Sequence, residues 1–206
     1  MNEGYSEVLR SIASSDPTPG GGSVAALSLA HAHSLAMMVA RLTVGKEKWA
    51  EGHEVATLVI SESQVGLAES MHLAEIDAEA FDSVMSAYRL PRETEEQKES
   101  RKKSIRDATI GAAEAPLATA NCAMKLLSNL ERLCVSCNAN ALTDLASASE
   151  LSLSAVKMAA MNIRINLEYI EGDDVDSMES QIVKVIHDST SSADAISLKV
   201  NERLGW

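Results

Sequence analysis

Residues 14–38 read SSDPTPGGGSVAALSLAHAHSLAMM, a loop with unusual chemistry that runs directly into a long stretch of small apolar residues. Pro17 and Pro19 fix φ and remove two backbone donors, whereas the glycines at 20–22 let a ligand or another segment approach the main chain. Ser23 is a favourable N-cap, so we expect a helix to begin there. Because alanine lies on every side of that helix, it belongs at the centre of a bundle or in a subunit interface.

Most of the remaining chain has the apolar spacing of long helices. A composition with 46% hydrophobic but only 3% aromatic residues favours closely packed helices over sheets. Thr94 and Gln97 predict a capping box, and Pro116 predicts a kink because it frees the carbonyl four residues earlier. The predicted helices cover about 3–14, 23–44, 53–90, 94–136, 140–171 and 174–203.

These helices predict an all-α protein, a bundle of about six mostly long helices. No hydrophilic linker divides the 206 residues, so we expect a single domain, 1–206. A helix of 30 to 40 residues is about 45 to 60 Å long, more than a globule of this size covers on all sides. We therefore expect a homodimer, or a higher homo-oligomer, that pairs through helix faces.

Charge and cysteine content exclude several classes of protein. A net charge of −12 at pH 7 excludes general affinity for nucleic acid or an anionic membrane, since both need a basic face. Residues 1–10 lack the features of a signal peptide, and polar residues interrupt the apolar run at 23–40, so we expect a cytoplasmic protein without a membrane span. Cys122, Cys134 and Cys137 are expected to be free thiols, and no metal site is predicted.

One carboxylate occupies an unexpected position in the segment 70–91, SMHLAEIDAEAFDSVMSAYRLP. Glu75, Glu79 and Asp82 share one helix face, whereas Asp77 falls on an otherwise apolar stripe. A carboxylate in such surroundings needs a partner or faces a cleft, and its pKa is shifted. Asp77 is therefore a candidate functional residue, the alternative being a structural carboxylate bonded to a cation or a helix terminus.

Two further polar side chains share a helix face within 138–167. Asp144 and Asn162 are joined by steps of three and four residues through small or apolar positions, so both need polar partners. They lie about 27 Å apart along a helix and cannot contact one small reacting centre from the same chain. Asn162 and Asn166 are one turn apart, and they either hold a polar ligand or make a helix-packing hydrogen bond.

Cations gather in RLTVGKEKW at 41–49, in a chain that is otherwise acidic. Arg41, Lys46 and Lys48 lie close to Trp49 in the sequence. Ammonium and guanidinium groups attract an anion and an indole face offers stacking, so the cluster suits an anionic ligand with a flat ring. The alternative is a solvated charge cluster at a helix end.

The glycine corner is a second candidate for anion binding. Gly20, Gly21 and Gly22 precede a helix, so they expose N–H groups at the positive end of its dipole; a tight corner between helices is the alternative. The pattern is neither a P-loop nor a dinucleotide fingerprint. His31 and His33 point about 200° apart on a helix and cannot chelate together, so each is expected to be a core or interface histidine.

Several blocks in one order carry a family resemblance. DPTPGGGSVAAL, MVARLTVGKEKW, IDAEAFDSVMSAYRLP, Arg101 ahead of AAEAPL, and NANALTDLASA with NIRINL resemble the formimidoyltetrahydrofolate cyclodeaminase / methenyltetrahydrofolate cyclohydrolase family. The resemblance covers about 10–170. It implies an all-helical bundle that dimerises and acts on a reduced folate, with no metal and no cofactor beyond the tetrahydrofolate substrate.

The resemblance implies two reactions at one carbon. The first is cyclisation of 5-formiminotetrahydrofolate to 5,10-methenyltetrahydrofolate with release of ammonia, for which we expect Asp77 to be catalytic by carrying a proton from N10 to the leaving nitrogen. The alternative is the cyclohydrolase reaction, from 5,10-methenyl- to 10-formyltetrahydrofolate. A third interpretation is a non-catalytic helical dimer that binds folate or a protein. The expected substrate-binding residues are Gly20, Gly21, Gly22, Ser23, Arg41, Lys46, Lys48, Trp49, Asp144 and Asn162.

Overall fold

A computed structural model of the chain describes residues 3–206, and within that range every regular element is helical. The predicted all-α class and the six helices are confirmed. Two 3-10 helices, Glu47–Gly52 and Ala139–Ala141, lie between the longer elements. The α-helices are α1 (Glu3–Ile12), α2 (Gly21–Val44), α3 (His53–Tyr88), α4 (Glu95–Leu133), α5 (Leu142–Leu167) and α6 (Asp173–Leu204).

Helix α2 is the central helix of the bundle. It packs against α3, α4 and α5, and thirteen of its 24 residues are buried. Fully buried alanines let the neighbouring helices approach closely, because a methyl group is the smallest side chain that still fills the space. Within residues 3–206, α2 is also the one helix long and apolar enough to cross a membrane, and its packing on three sides makes it a core helix here. The fully buried alanines are Ala25, Ala26, Ala32, Ala36 and Ala40.

Helices α2 and α3 run antiparallel, and a glycine on each makes room for a polar side chain on the other. A Cβ at Gly22 would collide with the carboxylate of Asp77, and a Cβ at Gly66 would collide with the ring of His33. His33 follows Gly22 by eleven residues on α2, and Gly66 precedes Asp77 by eleven residues on α3. The two contacts therefore belong to one helix register, about 16 Å apart.

Helix α4 continues through Pro116, whose missing N–H cannot bond to the carbonyl of Ala112. Asn166 on α5 supplies the missing donor, since its Nδ2 lies 2.8 Å from Ala112 O. The helix begins as predicted, with a capping box in which Thr94 and Gln97 satisfy each other's backbone amides. Of the two predicted roles for Asn166, the structure shows the helix-packing hydrogen bond.

A side chain in the last turn of α6 hydrogen-bonds to the loop that follows α4. Arg203 donates to the carbonyls of Cys134 and Cys137, each at 2.7 Å. Both thiols are free and buried, and burial raises the pKa of Cys134 to about 11. A thiol that holds its proton so strongly is a poor nucleophile, so Cys134 serves here as a buried packing group.

Candidate active site

The glycine corner brings the first turn of α2 to the rim of a cavity. Helix α2 begins at Gly21 with Gly20 as its N-cap residue, so the N-cap role predicted for Ser23 is wrong. Its first backbone bond joins Val24 N to Gly20 O at 3.0 Å, which leaves the amides of Gly21, Gly22 and Ser23 ahead of the helical ladder. The helix starts at Gly21, two residues before the predicted start at Ser23, because Ser23 bonds to a residue of another helix.

The partner of Ser23 is Asp77 on α3. Ser23 Oγ donates to Asp77 Oδ2 at 2.9 Å, and the missing side chain at Gly22 leaves the space that the carboxylate occupies. Burial raises the pKa of Asp77, whereas hydrogen bonds from the side chain and backbone of Ser23 lower it by less. The carboxyl thus keeps a proton more readily than an ordinary aspartate, although it lies at the positive end of a helix.

A cavity of about 340 Å³ lies beside Asp77. Asn162 on α5 reaches the same rim, where its Nδ2 is 3.4 Å from the position that a Cβ of Gly21 would take. The same nitrogen donates to Met158 O at 2.9 Å, whereas the side-chain amide oxygen of Asn162 takes no part in that bond. Polar groups from three helices therefore converge on one cavity. Its apolar wall comes from Phe81, Val84, Ala112 and Ile165.

The predicted cation cluster lies at the other end of α2. Arg41, Lys46 and Lys48 are exposed there, and the Lys48 ammonium lies 4.9 Å from the centre of the Trp49 ring. Twenty residues of helix separate Gly21 from Arg41, a distance of about 30 Å. This cluster cannot contact a small molecule bound beside the glycine corner of the same chain.

Asp144 shares the distant end of the bundle. It lies in the first turn of α5, just after the segment in which Asn138 donates to Leu42 O near the C-terminus of α2. Asn162 is near the opposite end of the same helix. One chain therefore brings Asp77, the glycine corner, Ser23 and Asn162 together, and it places the other predicted binding residues elsewhere.

Arg101 was named in the family resemblance, but neither it nor its neighbouring cations at the Asp77 end of the bundle were predicted to bind substrate. Arg101, Lys102 and Lys103 lie near the start of α4, and Arg101 donates to Tyr88 O at 2.9 Å, where α3 ends. Lys102 is about 15 Å along α4 from Ala112, which lines the cavity. The basic run was visible in the sequence, but only the pairing of α3 with α4 places it at the same end of the bundle as Asp77.

No group of three or more His, Cys, Asp or Glu side chains suited to a metal ion occurs within residues 3–206. The two histidines of α2 also lie in different surroundings. His31 is exposed and contacts Tyr5, whereas His33 is buried between helices. The polar groups that line the cavity are the carboxyl of Asp77, the side-chain amides of Asn162 and Asn166, the hydroxyl of Thr18 and the glycines at the start of α2.

A family model described as Formiminotransferase-cyclodeaminase matches residues 4–184. The chain belongs to the formiminotransferase-cyclodeaminase family. A methenyltetrahydrofolate cyclohydrolase from Methylorubrum extorquens is 34% identical over 171 residues, which are 82% of this chain and 82% of that protein. The predicted family resemblance is confirmed, and the match extends beyond the quoted blocks into α6.

Longer members of the formiminotransferase-cyclodeaminase family match over part of their length. The formimidoyltransferase-cyclodeaminase of Gallus gallus is 28% identical over 95% of this chain and 36% of its own length, and that of Sus scrofa is 30% identical over 80% and 30%. The chain thus spans about a third of these relatives. The crystal structure of formiminotetrahydrofolate cyclodeaminase from Thermotoga maritima superposes with a TM-score of 0.80 at 24% identity, covering 97% of this chain and 94% of that one. This likeness confirms the fold.

Proposed function

We propose that this protein catalyses a one-carbon reaction of tetrahydrofolate in the cavity beside Asp77. The observation that carries the proposal is a carboxyl of raised pKa, held over an apolar-walled cavity at the start of α2. Such a carboxyl both accepts and donates protons at a pH closer to neutrality than an ordinary aspartate does. Family membership supports a folate substrate, since relatives are named for reactions of folates.

The first candidate reaction is that of a cyclodeaminase. N10 of 5-formiminotetrahydrofolate attacks the formimino carbon and a tetrahedral centre forms. The formimino group enters protonated, as an amidinium. Asp77 accepts the proton from N10 and donates it to the formimino nitrogen, which then carries three hydrogens; its bond to carbon breaks, ammonia leaves, and the positive charge stays on the methenyl product. The remaining carbon bridges N5 and N10 as the methenyl group. The raised pKa of Asp77 suits a group that must act first as a base and then as an acid.

The second candidate reaction, that of a cyclohydrolase, uses the same carboxyl. Water adds to the methenyl carbon, and Asp77 accepts a proton from that water. The proton then passes to N5 as the bond between N5 and carbon breaks. The second hydrogen of the added water is released to solvent as the formyl C=O forms, which gives 10-formyltetrahydrofolate. A specific observation favours this candidate, because the relative named as a cyclohydrolase matches over 82% of both chains.

The anionic tail of a folate needs cations, and two sets are available. Arg101, Lys102 and Lys103 share the Asp77 end of the same chain. The predicted set consists of Arg41, Lys46, Lys48, Trp49 and Asp144. These residues can contact a ligand in the cavity only from a second copy of the chain. We therefore propose a cytoplasmic homodimer in which the distant end of one copy approaches the Asp77 cavity of the other, with no cofactor beyond the tetrahydrofolate substrate.

Two incubations of the purified protein test the proposal, both followed by the absorbance of the methenyl chromophore. A cyclodeaminase produces the chromophore from 5-formiminotetrahydrofolate and releases an equal amount of ammonia. A cyclohydrolase accelerates its decay when 5,10-methenyltetrahydrofolate is supplied. Binding of both compounds without turnover of either would contradict an enzymatic role and would support the non-catalytic dimer.

A further inference from the structure

A second cavity, of about 370 Å³, lies between α2, α3 and α4 and is separate from the one beside Asp77. We call it the His33 cavity, because His33 lies on its wall eleven residues, or about 16 Å, along α2 from Gly22. Its volume is in the range of small-molecule sites. The wall combines apolar groups, such as Leu126 and Val65, with a few charged and polar side chains.

His33 is an unpartnered polar side chain in this wall. Only 6% of its surface is exposed, and neither ring nitrogen has a hydrogen-bond partner. Burial and the nearby charge of Lys125 lower the pKa of His33 to about 4, so the ring is neutral at pH 7 and one nitrogen is an acceptor. Buried polar atoms are rarely left unpaired, since the loss of water is then uncompensated. Both ring nitrogens lie beneath the cavity surface, so a ligand supplies the missing bond once the ring turns toward the cavity.

The side-chain bonds around the cavity leave unpaired the N–H of His33 and two acceptors. Lys125 pairs with Glu62 at 3.4 Å, and Asn129 Nδ2 donates to the same carboxylate at 2.5 Å. Ser61 Oγ donates to Leu58 O. These contacts employ donors, whereas the amide oxygen of Asn129 and the acceptor nitrogen of His33 take part in none of them.

The charges of the wall also favour a cation. Glu62 is compensated by Lys125, but Glu69 faces the same cavity without a second cation on its wall, and it accepts a bond from the thiol of Cys122. We propose that the His33 cavity binds a small organic monocation that donates N–H groups, an amidinium or guanidinium joined to a flat ring. The cation bonds to Glu69 and His33, and the ring packs against Leu126. This site is independent of the reaction proposed for Asp77.

Benzamidinium is the probe, and neutral benzamide and anionic benzoate, which share its ring, are the controls. Binding is measured by calorimetry and by the NMR shifts of the His33 ring protons. Benzamidinium is expected to bind with a Kd in the millimolar range or tighter, at least about tenfold tighter than benzamide, with no binding of benzoate. Equal affinity for benzamidinium and benzamide, or no shift of His33 at millimolar probe, would overturn the proposal.

Three variants locate the bound probe. Glu69→Gln and His33→Gln are each expected to weaken benzamidinium binding about tenfold. His31→Gln, two residues away on an exposed face of α2, is the matched control and is expected to leave the affinity unchanged. Glu69 is exposed, so its variant decides the question even if replacement of the buried histidine prevents folding. Unchanged affinity in Glu69→Gln would overturn the site.

Discussion

At the scale of single residues, Asp77 experiences two opposed effects. The N-terminus of α2 and the hydroxyl of Ser23 stabilise its charged form, whereas burial destabilises it, and burial is the larger effect. The position of Asp77 on an apolar stripe was predictable from the 3.6-residue period alone. Its partner Ser23 was not, because 54 residues separate them and only the register of α2 against α3 brings them together.

Gly22→Ala tests the close approach of Asp77 to α2. The added Cβ would overlap the carboxylate, so we expect a loss of about 1–3 kcal/mol in the free energy of unfolding, measured by urea denaturation. Gly111→Ala is the matched control, since a Cβ there meets nothing within 4 Å and alanine favours a helix. We expect that control to gain about 0.4–1 kcal/mol. Equal effects at both positions would contradict the contact.

The raised pKa of Asp77 predicts a pH dependence of stability. The folded state holds this proton more tightly than the unfolded state, so the contribution of Asp77 to stability is largest below its ordinary pKa of 3.8 and is lost as pH rises through the folded value. Asp77→Asn removes that loss. We therefore expect the variant to become progressively more stable, relative to the parent protein, as pH rises from about 3.8 towards neutrality.

Urea denaturation at a series of pH values measures this trend, and Asp82→Asn is its control. Asp82 is exposed on the same helix, so its replacement is expected to change stability by less than about 0.5 kcal/mol. A constant difference between Asp77→Asn and the parent protein across that interval would show that burial does not dominate at Asp77.

At the scale of elements, local signals predicted the helices well and their ends less well. Helix α4 carries its own start signal in Thr94 and Gln97, and the structure confirms it. Helix α2 begins at Gly21 instead of Ser23, because a tertiary bond to Asp77 replaces the local cap. Local sequence cannot show that a tertiary contact takes the place of a local cap. The same holds for Asn166, whose role depends on a proline in a different helix.

A double-mutant cycle tests the pairing of α4 with α5. Asn166→Ala leaves the carbonyl of Ala112 without a donor, so we expect a loss of about 1–3 kcal/mol in the free energy of unfolding. Pro116→Ala restores a helical N–H to that carbonyl. In the Pro116→Ala background, Asn166→Ala is therefore expected to cost less, by a coupling energy of at least about 0.5 kcal/mol. An equal cost in both backgrounds would contradict this role of Asn166.

At the scale of the whole molecule, the predicted site residues divide between two ends of the bundle. Asp77 and Asn162 lie at one end, and Lys46 and Asp144 lie at the other. Sequence analysis predicted the residue types but could not predict this division, because the spatial order of the helices is a property of the assembled core. A homodimer that joins unlike ends would complete the site.

Subunit mixing tests the shared site. A Lys46→Ala, Lys48→Ala double variant and an Asp77→Asn variant are each expected to have low turnover. When they are unfolded together in equal amounts and refolded, half of the dimers contain one of each chain, and one site in each such dimer is intact. We expect about a quarter of the parental activity to return. Activity no higher than the average of the two variants would contradict a site formed by two copies.

The turnover of Asp77→Asn shows whether the carboxyl of Asp77 moves the proton in a folate reaction. The measurement compares kcat and KM with those of the parent protein, in whichever methenyl assay the parent is active, with Asp82→Asn as the control. We expect kcat to fall by a factor of about 10²–10⁴ with little change in KM, whereas Asp82→Asn behaves as the parent. A kcat close to the parental value in Asp77→Asn would contradict this role of Asp77.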